Sequence, residues 1–133
     1  NEEDPELCVA LREQHFGDWQ GRTFDEAKEA DPDVYQHFWQ DPAMHAPPNG
    51  ESFDDVVGRV TKTRKEISSR NVEENILVVA HAGTIRAILA DALGISSEKA
   101  LLFNVDPLSL TKLTLYSEKS RENWQINWIN RTY

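Results

Sequence analysis

The chain has 133 residues, with 14 Lys plus Arg against 23 Asp plus Glu and a formal charge of -9. That length fits one domain, and 39% hydrophobic residues supply a packed core, which excludes wholesale disorder. The acidic balance excludes nucleic acid and an anionic membrane as main partners, because both need a basic face. No apolar run approaches the roughly 20 residues that span a bilayer. Cys8 is alone, so neither an internal disulfide nor a cysteine zinc site can form. With no basic-then-apolar leader in view, the expectation is a cytoplasmic protein.

Residues 7–11 are apolar enough for a short strand or an ordered lead-in. The stretch from Arg12 to Gly21 carries two glycines among polar groups and aromatics and reads as a loop. Thr23, three residues before Glu26, forms a capping box that predicts a short helix through about Ala30. Asp31-Pro32 then starts a second helical segment over 34–39, and Asp41-Pro42 closes it. Three prolines make 42–50 a loop. Ser52 caps a longer helix whose apolar face is Phe53, Val56, Val57, Val60 and Ile67. The run from Arg59 to Lys65 reads most simply as its solvated face.

Residues 76–80, Ile-Leu-Val-Val-Ala, give the strongest strand signal and are apolar on both faces, as a central parallel strand requires. His81-Ala82-Gly83-Thr84 turns from that strand into a helix stopped by Gly94. A short helix over 97–103 follows. Two β segments, 108–116 and 124–129, then pair antiparallel around a charged loop at 117–123. A strand like 76–80 needs strand neighbours and helices on both sides. Too little chain lies upstream to supply them. The expected fold is therefore α/β, a three-layer and mostly parallel sheet with helices on both faces, its N-terminal part missing. All of 1–133 reads as one domain.

Three places could carry chemistry. His81 lies just past the carboxyl end of a central strand, where open α/β sheets bind ligands, and the amides of Ala82, Gly83 and Thr84 face an anion there. The plainer alternative is a histidine satisfied by backbone. Glu13 stands ahead of a glycine-containing loop, and its plainer reading is a solvated carboxylate. Gly50-Glu51-Ser52 opens a helix and reads equally as capping or ligand contact. His15, His37, His45 and His81 match no ligand spacing, so no metal and no cofactor is expected. Trp19, Phe38 and Trp39 read as core or pocket wall. No dinucleotide, P-loop or Gly-x-Ser-x-Gly motif occurs.

These residues also resemble a family. Leu11-Arg12-Glu13-Gln14-His15-Phe16-Gly17-Asp18-Trp19-Gln20-Gly21 resembles the L-x-E-x-x-F/Y-G-x-W/L-E/Q-G pattern of the histidine phosphatase (phosphoglycerate mutase-like) superfamily. Pro48-Asn49-Gly50-Glu51-Ser52 with Arg59-Val60 is similar to its P-x-G-E-S…R-V segment. Leu77-Val78-Val79-Ala80-His81-Ala82-Gly83-Thr84-Ile85-Arg86 is similar to its V-x-V-x-H-G-G-x-I-R strand-turn-helix segment. The short span from Gly21 to Gly50 resembles the small phosphatases of the family more than its mutases. The family's Arg-His-Gly, with the nucleophilic histidine, does not occur in these residues.

The resemblance implies hydrolysis of a phosphomonoester through a phosphohistidine, with a small sugar or nucleotide phosphate as substrate. By the match, Glu13 protonates the leaving alkoxide and later assists water, a role that needs its carboxyl group protonated at working pH. His81 donates a hydrogen bond to the phosphoryl oxygens. Ala82 and Gly83 match positions that contact phosphate or substrate through their amides. The resemblance implies no metal. Without its nucleophile the chain is expected to be inactive alone. Two alternatives stand beside this reading: a fructose-2,6-bisphosphatase-like enzyme, and a non-catalytic module that binds a phosphorylated ligand or regulates a partner.

Overall fold

A computed structural model describes residues 4–70, 75–118 and 121–133. Helix α1 (Phe24–Ala30) begins on the expected reciprocal cap. Glu26 N–H donates to Thr23 Oγ1 (3.2 Å) and Thr23 N–H to Glu26 Oε2 (2.8 Å), so two otherwise unpaired amides are satisfied. Helix α2 (Pro32–Gln40) puts proline at its first position, and Asp31 Oδ1 accepts from Val34 N–H at 3.1 Å. Ser52 and Asp55 make a similar exchange at the start of α3 (Phe53–Arg70), at 3.1 and 2.9 Å. Helix α4 (Ala82–Leu93) has His81 as its N-cap and stops at Gly94, whose φ of 62° is left-handed. Helix α5 (Ser97–Ala100) is shorter than the predicted 97–103, and the chain leaves it through turns.

The core forms where α3 meets α4 and α5. Phe53, Val56 and Val60 pack on Ala87, Ala90 and Ala100, all buried. The alanines bring the helix axes close, and each large side chain there contributes about 1.5–3 kcal/mol through burial. Strands β1 (Leu110–Glu118) and β2 (Arg121–Arg131) pair antiparallel, with Leu113 opposite Ile126 and Leu115 opposite Trp124. The ladder runs through Ser117↔Glu122 and Glu118↔Arg121, into the stretch predicted as loop. Backbone pairing needs no apolar side chain, so polar residues extend it. Residues 119–120, inside that predicted loop, lie outside the described residues.

One expectation needs correction, and the expected α/β fold is met in part, by helices and a small sheet. Residues 76–80 form no strand: no ladder partner exists for them among the described residues, and Leu77 and Val79 are 80% and 94% exposed. Apolar side chains favour burial, but a strand also needs a neighbour's N–H and C=O groups. The mostly parallel three-layer sheet is likewise not found among the described residues, where the sheet is the two-stranded β1–β2 ribbon. The lead-in at 7–11 contains a 3₁₀ turn, Val9–Leu11, closed by Leu11 N–H to Cys8 O at 3.0 Å. No helix among the described residues is long and apolar enough to cross a membrane.

Candidate active site

Three segments far apart in sequence converge beside the N-terminus of α4. The first is the loop from Arg12 to Gly21, the second is 47–52, and the third is His81 with the first turn of α4. The first two lie against each other as a short irregular ladder. Glu51 N–H donates to His15 O at 2.8 Å, and Asp18 N–H to Pro48 O at 2.9 Å. Gln14 Nε2 donates to Glu51 O at 2.8 Å, and Asn49 Nδ2 to Asp18 at 3.0 and 3.2 Å. Gly17, with φ at 53°, makes that contact possible: a Cβ there would overlap the Pro48 carbonyl oxygen.

The third segment meets the first through two hydrogen bonds. Buried Thr84 presents its hydroxyl to the carbonyl oxygens of Leu11 and Arg12, at 2.9 and 3.0 Å, and so shares one proton between them. Gly83 N–H donates to Glu13 Oε2 at 3.3 Å, while Gln14 N–H donates to Glu13 Oε1 at 2.9 Å. Glu13 is thus half-buried with both carboxylate oxygens accepting backbone bonds, unlike a freely solvated side chain. Gly83 is required for this approach, because a Cβ would overlap Glu13 Oε1. Its amide points at the Glu13 carboxylate, and Ala82 beside it is half-buried. His81 caps α4 in extended backbone without a side-chain cap bond, and it is exposed.

Ser52 caps α3, the plainer reading of its motif, while Glu51 faces other partners. The Glu51 carboxylate receives Arg59 Nε at 2.8 Å and His15 N–H at 2.9 Å. The Arg59 hydrogen bond holds the Glu51 carboxyl below the usual carboxylate range; burial opposes that, and the His15 amide with Arg12 adds to it. The run from Arg59 to Lys65 is therefore not one solvated face. Lys62 and Lys65 are exposed, but Arg59 is half-buried and Arg64 buried. The helical period separates them, since Val56, Val60 and Arg64 fall four apart on one stripe. Arg64 satisfies itself on Asp91 Oδ2 at 2.8 Å and Glu122 Oε1 at 2.7 Å, with its guanidinium 5.1 Å from the Trp124 ring centre. Sequence reasoning missed both arginines. The spacing of Glu51 and Arg59-Val60 within one motif was the available signal.

Of the remaining candidates, His15 and Trp19 lie in the first segment, and His37, His45, Phe38 and Trp39 lie outside the three segments. His37 and His45 stack with ring centres 3.6 Å apart, and His15 Nδ1 accepts from Gly17 N–H at 3.1 Å. Trp19 packs on Phe38 and Tyr35, with ring centres 5.1 and 5.6 Å away, which seats α2 against the first loop. Among the described residues, no three His, Cys, Asp or Glu side chains gather as metal ligands.

Residues 2–131 match the family model described as the histidine phosphatase superfamily (branch 1). The chain is 38% identical to the bifunctional protein Rv2228c of Mycobacterium tuberculosis, over 92% of this chain and 32% of that protein. It is 33% identical to a metal-independent phosphoserine phosphatase of Arabidopsis thaliana, over 69% of this chain and 39% of that protein. The crystal structure of the alpha-ribazole phosphatase from Shigella flexneri superposes with a TM-score of 0.80 at 25% identity, covering 94% of this chain and 60% of that one. The chain thus spans between about a third and three fifths of these relatives' lengths.

Proposed function

The chain belongs to the histidine phosphatase superfamily, branch 1, and on that premise we propose that the protein carrying it hydrolyses small phosphomonoesters through a phosphohistidine, α-ribazole-5′-phosphate foremost. One observation carries the reading. Glu13, Gly83 and His81, separated by up to 70 positions, meet at one helix N-terminus with the Glu13 carboxylate fixed by two amides. The work divides as follows. A histidine outside these 133 residues attacks phosphorus in line. Glu13 delivers a proton to the departing alkoxide and then assists the water that cleaves the phosphoenzyme. His81 donates to the phosphoryl oxygens as their charge develops. The amide end of α4 favours the anion. No metal takes part. In the full-length protein, residues 76–80 join a parallel sheet and so gain the cover their side chains lack here.

The preference for α-ribazole-5′-phosphate rests on the loop Phe16-Gly17-x-Trp19-x-Gly21-Arg22, the short span to Gly50, and the superposition on the Shigella flexneri enzyme. The likeness to a phosphoserine phosphatase makes phosphoserine the competitor to include. A cytoplasmic metabolite is the expected partner. The test is rapid-quench labelling of the full-length natural protein with a panel of ³²P phosphomonoesters, with and without EDTA. The reading expects an acid-labile, base-stable phosphoenzyme, insensitive to EDTA, that forms fastest with α-ribazole-5′-phosphate. Absence of any phosphoenzyme while the ester is hydrolysed overturns the mechanism. A faster reaction with phosphoserine or fructose 2,6-bisphosphate overturns the substrate alone.

A further inference from the structure

A single guanidinium organises the backbone from which Glu13 hangs. Arg59 has five N–H groups, and all five are used. Nη1 donates to the carbonyl oxygens of Ala10 (2.7 Å) and Arg12 (3.0 Å). Nη2 donates to the carbonyl oxygen of Glu13 itself (3.1 Å) and to Glu51 Oε2 (3.1 Å). Nε donates to Glu51 Oε1 at 2.8 Å. Glu51 then grips the same segment from the other side, through Oε2 to His15 N–H, its own N–H to His15 O, and its carbonyl to Gln14 Nε2. Residues 10–15 are held at six backbone or side-chain points by one arginine–glutamate pair. Neither side chain is hydrogen-bonded to the Glu13 carboxylate.

We infer that Arg59, backed by Glu51, is a positioning residue for proton delivery: it fixes the Glu13 main chain so that the carboxylate sits at the Gly83 amide beside His81. The inference rests on Glu13 being the acid of the proposed reaction. The physical case is one of geometry. Five donors in a rigid planar fork fix a loop in a way that an ammonium, with three donors on a flexible stem, cannot. A misplacement of about 1 Å in a reacting group costs about 10²-fold in rate. Glu51 is part of the same device, because its bidentate hold sets the plane of the guanidinium.

The test compares leaving groups in the full-length natural protein. Arg59→Lys, Arg59→Met and Glu51→Gln are measured beside Glu13→Gln, each shown folded by circular dichroism at the assay temperature. Phosphoenzyme formation is timed with an alkyl phosphate, whose alkoxide needs a proton, and with 4-nitrophenyl phosphate, whose phenolate leaves almost unaided. Arg59→Met is expected to slow the alkyl reaction by about 10²-fold and the aryl reaction far less. Arg59→Lys, although it keeps the charge, is expected to rescue little. On the Glu13→Gln background, Arg59→Met adds little further loss on the alkyl ester. Equal slowing of both esters by the Arg59 variants, with Glu13→Gln still selective, means a general structural role and overturns this inference alone. Equal slowing of both by Glu13→Gln overturns the acid assignment and this inference with it. If Arg59→Met does not fold, Arg59→Lys and Glu51→Gln carry the same comparison.

Discussion

Two arginines five residues apart on α3, one half-buried and one buried, satisfy their guanidinium groups in opposite ways. Arg59 faces three backbone carbonyls and one carboxylate, so its bonds fix a loop. Arg64 faces the carboxylates of Asp91 and Glu122, so its bonds tie α3 to α4 and to β2. The first lies where Glu13, Gly83 and His81 converge; the second lies at the far end of the same helix pair. A buried charge is tolerated only when its donors are matched, and both are. The partners decide the consequence: carbonyls of a loop translate into placement of a reacting group, carboxylates of packed elements into stability. Changes at the site end are therefore expected to alter rates, and changes at the Arg64 end to alter unfolding.

Apart from Glu13 itself, the largest effect expected at the site end comes from His81→Ala in the full-length protein. Removing a donor that strengthens in the transition state costs about 10² to 10³ in turnover. Because His81 is exposed and makes no cap bond, the melting temperature is expected to stay near wild type. A matched fall in turnover and melting temperature would erase the contrast between the two ends. Gly83→Ala comes next. The new Cβ overlaps the Glu13 carboxylate, while alanine suits a helix better than glycine. Turnover of alkyl esters is expected to drop by about 10²-fold as the carboxylate is displaced, with stability kept. Steady-state assays and thermal melts measured together separate these outcomes.

At the other end, Arg64→Met is expected to leave the chemistry nearly untouched and to destabilise. Breaking a buried pair from one side costs about 3–5 kcal/mol; Glu122 is 35% exposed and recovers solvent, so about 2–3 kcal/mol is the expected loss by urea unfolding. The acid limb sharpens the point. Hydrogen bonding from Arg64 holds the Glu122 carboxyl below its ordinary value, against the opposing effect of burial, and Arg59 does the same for Glu51. A carboxyl lowered in the folded state adds stability above its unfolded value of 4.5, and that stability drains as pH falls through the lower folded value. Stability is thus expected to decline below about pH 4.5. Arg64→Met should flatten the decline by removing the Glu122 share. An unchanged acid limb in that variant would show that Glu122 contributes nothing.

Legibility of these features from sequence followed the range of the forces involved. Caps were readable because Thr23–Glu26 and Ser52–Asp55 act within one turn. The convergence of Glu13 and His81 was not in the periodicity at all; it was suggested by motif resemblance, and the structure adds the Gly83 contact that brings the segments together. The charged run on α3 misled because charge in sequence says nothing about which side of a helix has a partner waiting. Asp91 and Glu122 lie 27 and 58 positions away from Arg64. The apolar stretch at 76–80 misled in the other direction. Hydrophobicity marked it for burial, but its hydrogen-bonding partners are not a property of its own residues.

The most direct test of the account is the effect of Glu13→Gln on the first chemical step. The substitution keeps the shape of the side chain but cannot deliver a proton, and general acid catalysis contributes roughly 10² to 10⁴-fold. Rapid quench on the full-length protein isolates phosphoenzyme formation from the later step, in which Glu13 also assists water. The account predicts a loss of about that size with a ribose or other alkyl phosphate and a much smaller one with 4-nitrophenyl phosphate. Equal losses on both esters would contradict it, and no loss on either would make Glu13 a structural carboxylate.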